Sequence, residues 1–259
     1  METLKVLFVG NSFARDTVEL APDIAKSLGI DRIKFANLYV GGCSIDMHYA
    51  HAIGDLPAYD YYVNTGEAWT YTPEHRISDA VREEDWDWIV IQHGTRGTSR
   101  YTSPECYDNL APLVRYLKSL APSHTRIAFN LTWMGESTYQ HHEIISYGGD
   151  MTTMRRRLIE VTQACVLTQP QIDLIIPTGT AIENARTSRI GLLTRDCFHL
   201  SVDKGRYIAA LTFLAAITGL DVSGISRAPT GMDDYARRVA TEAAQNALRA
   251  PFTITPSKL

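Results

Sequence analysis

The chain has 259 residues, 45% of them hydrophobic and 21% charged, the composition of a globular protein that buries a real core. Its 25 Lys and Arg against 29 Asp and Glu give a formal charge of −4, which supplies no general pull toward nucleic acid or an anionic membrane. Four scattered cysteines, without C-x-x-C spacing, argue against a zinc framework or a dense disulfide scaffold and suit free thiols in a reducing compartment.

Met1 leads straight into an apolar run, without the basic stretch, long apolar segment and cleavage site of a secretory signal. No segment approaches the roughly 18 uninterrupted apolar residues of a membrane span. A cytoplasmic location is the default expectation; a chain trimmed of a signal peptide, secreted or periplasmic, would read the same. Short apolar runs at Lys5–Val9, Arg32–Val40, Trp88–Gln92, Arg126–Leu131 and Ile172–Ile176 predict strands. Their near-continuous hydrophobicity is that of parallel strands covered on both faces.

Helical patterns separate the strands. Thr17–Leu28 has apolar residues at Val18, Ala21, Ile24, Ala25 and Leu28 and stops at Gly29. Pro104–Leu120 opens with Ser103 as a cap and Pro104 in the first turn. Thr152–Gln169, Ser201–Gly219 and Asp233–Leu248 supply three more, and the cationic run Arg155–Arg157 reads as a solvated helix face. Alternating strands and helices predict a doubly wound α/β fold with a five-stranded parallel sheet. Two stretches, about 43–75 and 133–150, interrupt the rhythm. In the first, Tyr59–Val63 and Ala68–Thr72 around Asn64-Thr65-Gly66-Glu67 predict a β-hairpin. The second is polar and aromatic. With no repeat and no low-complexity linker, residues 1–259 read as one domain carrying two insertions.

Two distant fragments carry the chemistry. Ser12, in Val9-Gly10-Asn11-Ser12-Phe13, sits where the first strand turns into the first helix; read alone, it is more readily a helix cap than a nucleophile. Asp196-Cys197-Phe198-His199 sets a carboxylate three residues before an imidazole, a spacing that lets Asp196 orient His199 but also occurs by chance in a structural helix entry. Together they offer the nucleophile, base and orienting acid of acyl transfer.

These fragments resemble the SGNH/GDSL hydrolase superfamily, whose members have a flavodoxin-like, three-layer α/β/α fold. Gly10-Asn11-Ser12-Phe13 matches the first block, with asparagine where many members have aspartate, and Gly41-Gly42-Cys43-Ser44 matches the second. Asp196-Cys197-Phe198-His199 matches the fifth in full. The third block departs: Gln92-His93-Gly94 stands where the usual amide motif would be. Asn37–Ser44, Ile176–Arg186 and Gly205-Arg206-Tyr207 are similar to a little-characterised SGNH branch common in gut bacteria.

The resemblance implies a serine esterase with catalytic Ser12, Asp196 and His199, and an oxyanion hole from Ser12, Gly42 and the side-chain amide of Gln92. It implies no cofactor and no metal; His48, His51, His141 and His142 lack joining carboxylate or cysteine ligands. Similarity to carbohydrate acetylesterases, with His93, Trp133, Tyr139 and His141 near predicted strand ends, points to an acetyl ester on a small molecule or oligosaccharide. A non-catalytic saccharide-binding protein on the same fold and a transacylase are the alternatives. Nucleic acid and membrane are not expected partners, and a homodimer is the commonest assembly to expect.

Overall fold

The computed structural model describes residues 3–93, 102–136 and 150–259. The chain packs as two compact units, one of Met1–Arg15, Ile30–Asn130 and Glu160–Leu174, the other of Asp16–Gly29, Leu131–Ile159 and Ile175–Leu259.

The first unit is built on a sheet. Its strands are β1 (Leu4–Gly10), β2 (Ile33–Tyr39), β3 (Tyr59–Asn64), β4 (Thr70–His75), β5 (Trp88–Gln92) and β6 (Arg126–Asn130); β7 (Leu174–Ile176) completes it. The order across the sheet is β4-β3-β2-β1-β5-β6-β7. β1 runs parallel to both β2 and β5, and β5 parallel to β6. With Val6, Phe8, Ile89 and Ile91 removed from water, these strands are the apolar runs visible in the sequence; each such side chain contributes about 1.5–3 kcal/mol on burial.

The expected five-stranded parallel sheet is corrected to a mixed sheet of seven strands. The Tyr-rich hairpin does not stand apart as an insertion. β3 pairs antiparallel with β2, and β4 with β3, so the hairpin covers what would otherwise be the open edge of β2. Between strands come α3 (Ile45–Ile53), α4 (Ile77–Arg82) and α5 (Leu110–Leu120), which follow α1 (Ser12–Val18) and α2 (Ala21–Ser27). The first predicted helix is two helices, because Pro22 enters the first turn of α2 and lacks the N–H that a continuous helix would use. Pro104–Tyr107 is a short 3₁₀ turn ahead of α5 rather than its beginning, and Ser103 makes no side-chain cap there.

The second unit is largely helical: α7 (Thr178–Arg186), α8 (Lys204–Thr218) and α9 (Asp234–Arg249) pack on one another, and α2 packs on α8. α6 (Met151–Val166) precedes β7. Buried positions surround α8 from Gly205 to Ile217, as expected of a helix apolar on all sides. Gly219 ends it at φ 71°, a left-handed stop that suits glycine. Asp233 caps α9 by accepting from the Ala236 N–H. Among the described residues no helix is long and apolar enough to cross a membrane.

Candidate active site

In the first unit, β1 ends at Gly10 and α1 begins at Ser12. The turn is tight: a Cβ on Gly10 would lie 2.4 Å from the Ala14 Cβ, so no larger residue fits without displacing the helix. Asn11 organises the corner. Its Oδ1 accepts from the Phe13 N–H at 2.9 Å and from Gln92 Nε2 at 2.8 Å, while its Nδ2 donates to the Cys43 carbonyl at 2.9 Å. Gln92 Oε1 in turn accepts from Asn130 Nδ2 at 3.2 Å. A chain of three amides therefore joins the carboxyl ends of β1, β5 and β6. An amide nitrogen carries two hydrogens, so Gln92 can serve Asn11 and still donate elsewhere.

The glycine turn after β2 is held in the same way. Val40 N–H donates to the Gly10 carbonyl at 3.2 Å, and Cys43 N–H to the Val40 carbonyl at 3.1 Å. Gly42 takes φ 67° within that turn, a backbone shape that β-carbon-bearing residues adopt at a cost. Ser44 then caps α3, its Oγ accepting from the Met47 N–H at 3.3 Å. Beneath it, His48 Nδ1 lies 3.4 Å from Cys43 Sγ and 2.8 Å from Tyr59 Oη. Burial, then the nearby His51 and His93, pushes the His48 imidazole down to about 3. His93 is buried at 2% exposure and packs its ring 5.2 Å from that of Tyr107. It belongs to the core of this unit and shows no face to solvent.

In the second unit, Asp196 and His199 form a pair: Asp196 Oδ2 lies 2.7 Å from His199 Nδ1. The other carboxylate oxygen accepts from the backbone N–H of His199 at 2.7 Å and of Phe198 at 3.1 Å. Burial opposes charge on Asp196, but the bonds from the His199 ring and backbone, its charge and the Phe198 N–H outweigh it and hold the carboxyl below its ordinary value. Cys197 sits at φ 64°, the left-handed residue that lets so short a turn close. With Nδ1 committed to Asp196, proton transfer from a nucleophile would have to use Nε2.

The turn is clamped from several sides. Thr194 and Leu200 form an antiparallel bridge, and Arg195 N–H donates to the His199 carbonyl at 2.9 Å. Trp133 Nε1 donates to the Phe198 carbonyl at 2.9 Å, and Glu136 N–H to the Cys197 carbonyl at 2.7 Å. Trp133, at 1% exposure, is a structural clamp rather than an exposed stacking surface. Asp16 is the largest anchor. It is completely buried, accepts the Leu200 N–H at 2.8 Å, and is ion-paired with Arg195 at 3.0 Å and Arg206 at 2.8 Å. A second charged chain supports Glu136: its carboxylate meets Arg186 at 3.0 Å, and Arg186 also pairs with buried Glu183. Burial raises the Glu183 carboxyl against the opposing pull of Arg186 and Arg155.

Of the residues singled out in the sequence, Ser12, Gly42, Gln92 and His93 thus lie in the first unit, and Trp133, Asp196 and His199 in the second. Tyr139 and His141 lie outside the described residues. Asn130, Asp16 and Glu136 had no signal in the sequence, because none belongs to a local pattern with its partners; Arg186 lies in the Ile176–Arg186 stretch singled out there, but its partner Glu136 is 50 positions away. Among the described residues no three His, Cys, Asp or Glu side chains gather into a metal-holding group.

Three solved structures are similar to this chain to different degrees. A crystal structure of a DUF4886 family protein from Bacteroides uniformis ATCC 8492 is 32% identical, with a TM-score of 0.91 over 98% of this chain and 97% of that one. LAE5, an alpha/beta hydrolase enzyme from the metagenome of Lake Arreo, Spain, is 13% identical, with a TM-score of 0.51 over 83% and 94% of the two chains. A single-residue variant of an acetyl xylan esterase from Geobacillus stearothermophilus is 17% identical, with a TM-score of 0.48 over 89% and 100%. No curated protein matches. The family model for DUF4886, a domain of unknown function, matches residues 5–247, and the chain belongs to that family.

Proposed function

We propose that this protein is a serine esterase of SGNH type that removes a small acyl group, most simply acetyl, from a carbohydrate. Ser12 is the nucleophile, His199 the general base and Asp196 the residue that orients it. The observation that carries the reading is the Asp196–His199 pair, with one carboxylate oxygen on the ring and the other on two backbone N–H groups. A fold alone hosts many chemistries, so the site residues bear the weight. The parallel strands in the order β2-β1-β5-β6 support the flavodoxin-like part of the reading.

In the proposed reaction Ser12 Oγ attacks the ester carbonyl while His199 Nε2 takes its proton. The developing oxyanion meets the backbone N–H groups of Ser12 and Gly42 and the second amide hydrogen of Gln92. His199 returns the proton to the departing sugar oxygen, which leaves an acyl-Ser12 ester. Water, deprotonated by His199, then releases the acid and regenerates Ser12. Asp196 stays ionised throughout and stabilises the imidazolium.

Turnover of 4-nitrophenyl acetate by the parent protein and by Ser12→Ala tests this. The expected result is a loss of at least about 10⁴-fold in kcat at an unchanged melting temperature. Covalent labelling of the parent by a fluorophosphonate should map to Ser12. A Ser12→Ala protein that turns over the ester as fast as the parent removes the proposal.

A further inference from the structure

The Tyr-rich hairpin has a second face that the proposed chemistry does not use. Alternation along β3 sends Tyr59 and Tyr61 into the core and turns Asp60 and Tyr62 the other way. Tyr62 is the register partner of Tyr71 on β4, with ring centroids 5.2 Å apart. On the other side Tyr39, near the end of β2, meets the Tyr62 ring edge-on at 6.0 Å. Tyr39 is itself the register partner of Gly10, two residues before Ser12, and its hydroxyl lies 3.7 Å from where a Cβ on Gly41 would stand. A row of three tyrosines therefore runs from the end of β2, beside the strand end that precedes Ser12, out to the sheet edge.

Two further side chains join the row from other segments. Arg15, one turn along α1 from Ser12, places its guanidinium carbon 4.3 Å from the Tyr62 ring centre and 5.5 Å from that of Trp69. At the outer end Tyr71 is 54% exposed and donates from its hydroxyl to Asp60 Oδ1 at 3.0 Å. A cross-strand aromatic pair stabilises a hairpin and accounts for Tyr62 and Tyr71. It does not account for Tyr39, Arg15 and Trp69, which converge on the same face from β2, α1 and the hairpin turn.

We infer that this face is a saccharide-binding platform leading to Ser12. A pyranose has an apolar face of C–H groups and a rim of hydroxyls that both donate and accept. The Tyr71 and Trp69 rings match the face, while Asp60 and Arg15, whose guanidinium covers the Tyr62 ring, provide an acceptor and a donor for the rim. The rings stand at angles to one another, 89° between Tyr39 and Tyr62 and 43° between Tyr62 and Tyr71, so they line a path longer than one sugar rather than form a single flat stack, and the row addresses an oligosaccharide. A nucleic-acid groove would pair stacking rings with net positive charge, whereas among the described residues of this row Arg15 is matched by Asp60. The inference rests on the esterase reading only for the identity of the bond that is cut.

Binding is measured on Ser12→Ala, which separates it from turnover, by affinity electrophoresis through gels containing acetylated xylan, acetylated glucomannan or acetylated pectin. At least one polysaccharide should retard the protein. Adding Trp69→Ala and Tyr71→Ala should weaken that interaction about tenfold, since each ring removed costs a stacking contact. Tyr71→Phe, which keeps the ring and loses only the bond to Asp60, should bind nearly as the parent. In the active protein, the same double change should lower the ratio of kcat/KM for an acetylated oligosaccharide to that for 4-nitrophenyl acetate, through KM. No retardation by any of the polysaccharides, or equal retardation of the ring-deleted variant, overturns the platform. If retardation is seen without any turnover of 4-nitrophenyl acetate by the parent, the platform stands and the esterase reading falls.

Discussion

The corner that carries Ser12 and the turn that carries His199 differ in whether charge takes part in holding them. Around Ser12 the polar contacts are neutral amides, Asn11 to Gln92 to Asn130, set at the ends of strands whose register already fixes them. Around His199 neutral bonds from Trp133 and the Glu136 N–H are backed by charges: Asp16 with Arg195 and Arg206, and Glu136 with Arg186. The difference follows from the backbone available. A strand end is positioned by its ladder and needs only local hydrogen bonds to finish the turn. The segment Arg195–Ser201 has a single bridge of its own and is held from outside, where ionic bonds of about twice the neutral strength do the positioning.

The charged side should therefore be the easier to break. Asp16→Asn leaves the guanidinium groups of Arg195 and Arg206 without their counter-charge. Removing one partner of a buried ion pair costs about 3–5 kcal/mol, and the partial exposure of Arg195 favours the lower end. Urea denaturation would show the loss directly. Under the esterase reading kcat should fall with little change in KM, because the Leu200 N–H loses part of its anchor and the adjoining imidazole with it. Stability within about 1 kcal/mol of the parent (a surface ion pair's worth) would mean that Asp16 is not the anchor.

A smaller effect is expected on the neutral side from Asn11→Asp. The change is isosteric and restores the aspartate that the resemblance leads one to expect. It nevertheless removes the donor to the Cys43 carbonyl and buries a carboxylate that accepts from Phe13 and Gln92. A buried carbonyl left without its donor costs about 1–3 kcal/mol. The glycine turn should loosen, and kcat should drop more than the stability change alone explains. An Asn11→Asp protein as stable and as active as the parent would show that the donor to Cys43 is dispensable.

The same contrast explains what the sequence could reveal. β1, β5 and β6 are legible because strands covered on both faces must be apolar throughout, and the hairpin is legible from its alternating tyrosines and turn residues. That the hairpin joins the sheet was hidden, since edge pairing leaves no mark on β2 itself. α3 was hidden because His48, Tyr49 and His51 blur its apolar face. The Asp196–His199 pair could be read from spacing because both partners lie in one turn. Asp16 could not: its bond to Leu200 spans 184 positions, and an aspartate in a short helix looks like any solvated one. Trp133 shows the converse, an aromatic in a polar loop that composition cannot distinguish from a sugar-stacking residue until its indole is found on the Phe198 carbonyl.

One residue qualifies the neutrality of the nucleophile side, and only in acid. His48 is buried with Cys43, Tyr59, His51 and His93 around it, and its imidazole is lowered from 6.5 to about 3. Between those values the unfolded chain binds a proton that the folded chain refuses, so this contribution to stability is complete above pH 6.5 and is lost as pH falls toward 3. The slope is about 1.4 kcal/mol per pH unit, or about 2–3 kcal/mol between about pH 6.5 and 4.5. His48→Gln removes the titration while keeping a polar group near Tyr59. Urea midpoints at about pH 7 and 4.5 should therefore converge for the variant relative to the parent, whatever offset the substitution brings at neutral pH. Carboxylates titrate alike in both proteins and cancel in the comparison. Equal acid losses in the two would mean that His48 takes up its proton without unfolding, and that the Cys43 turn tolerates a charge beneath it.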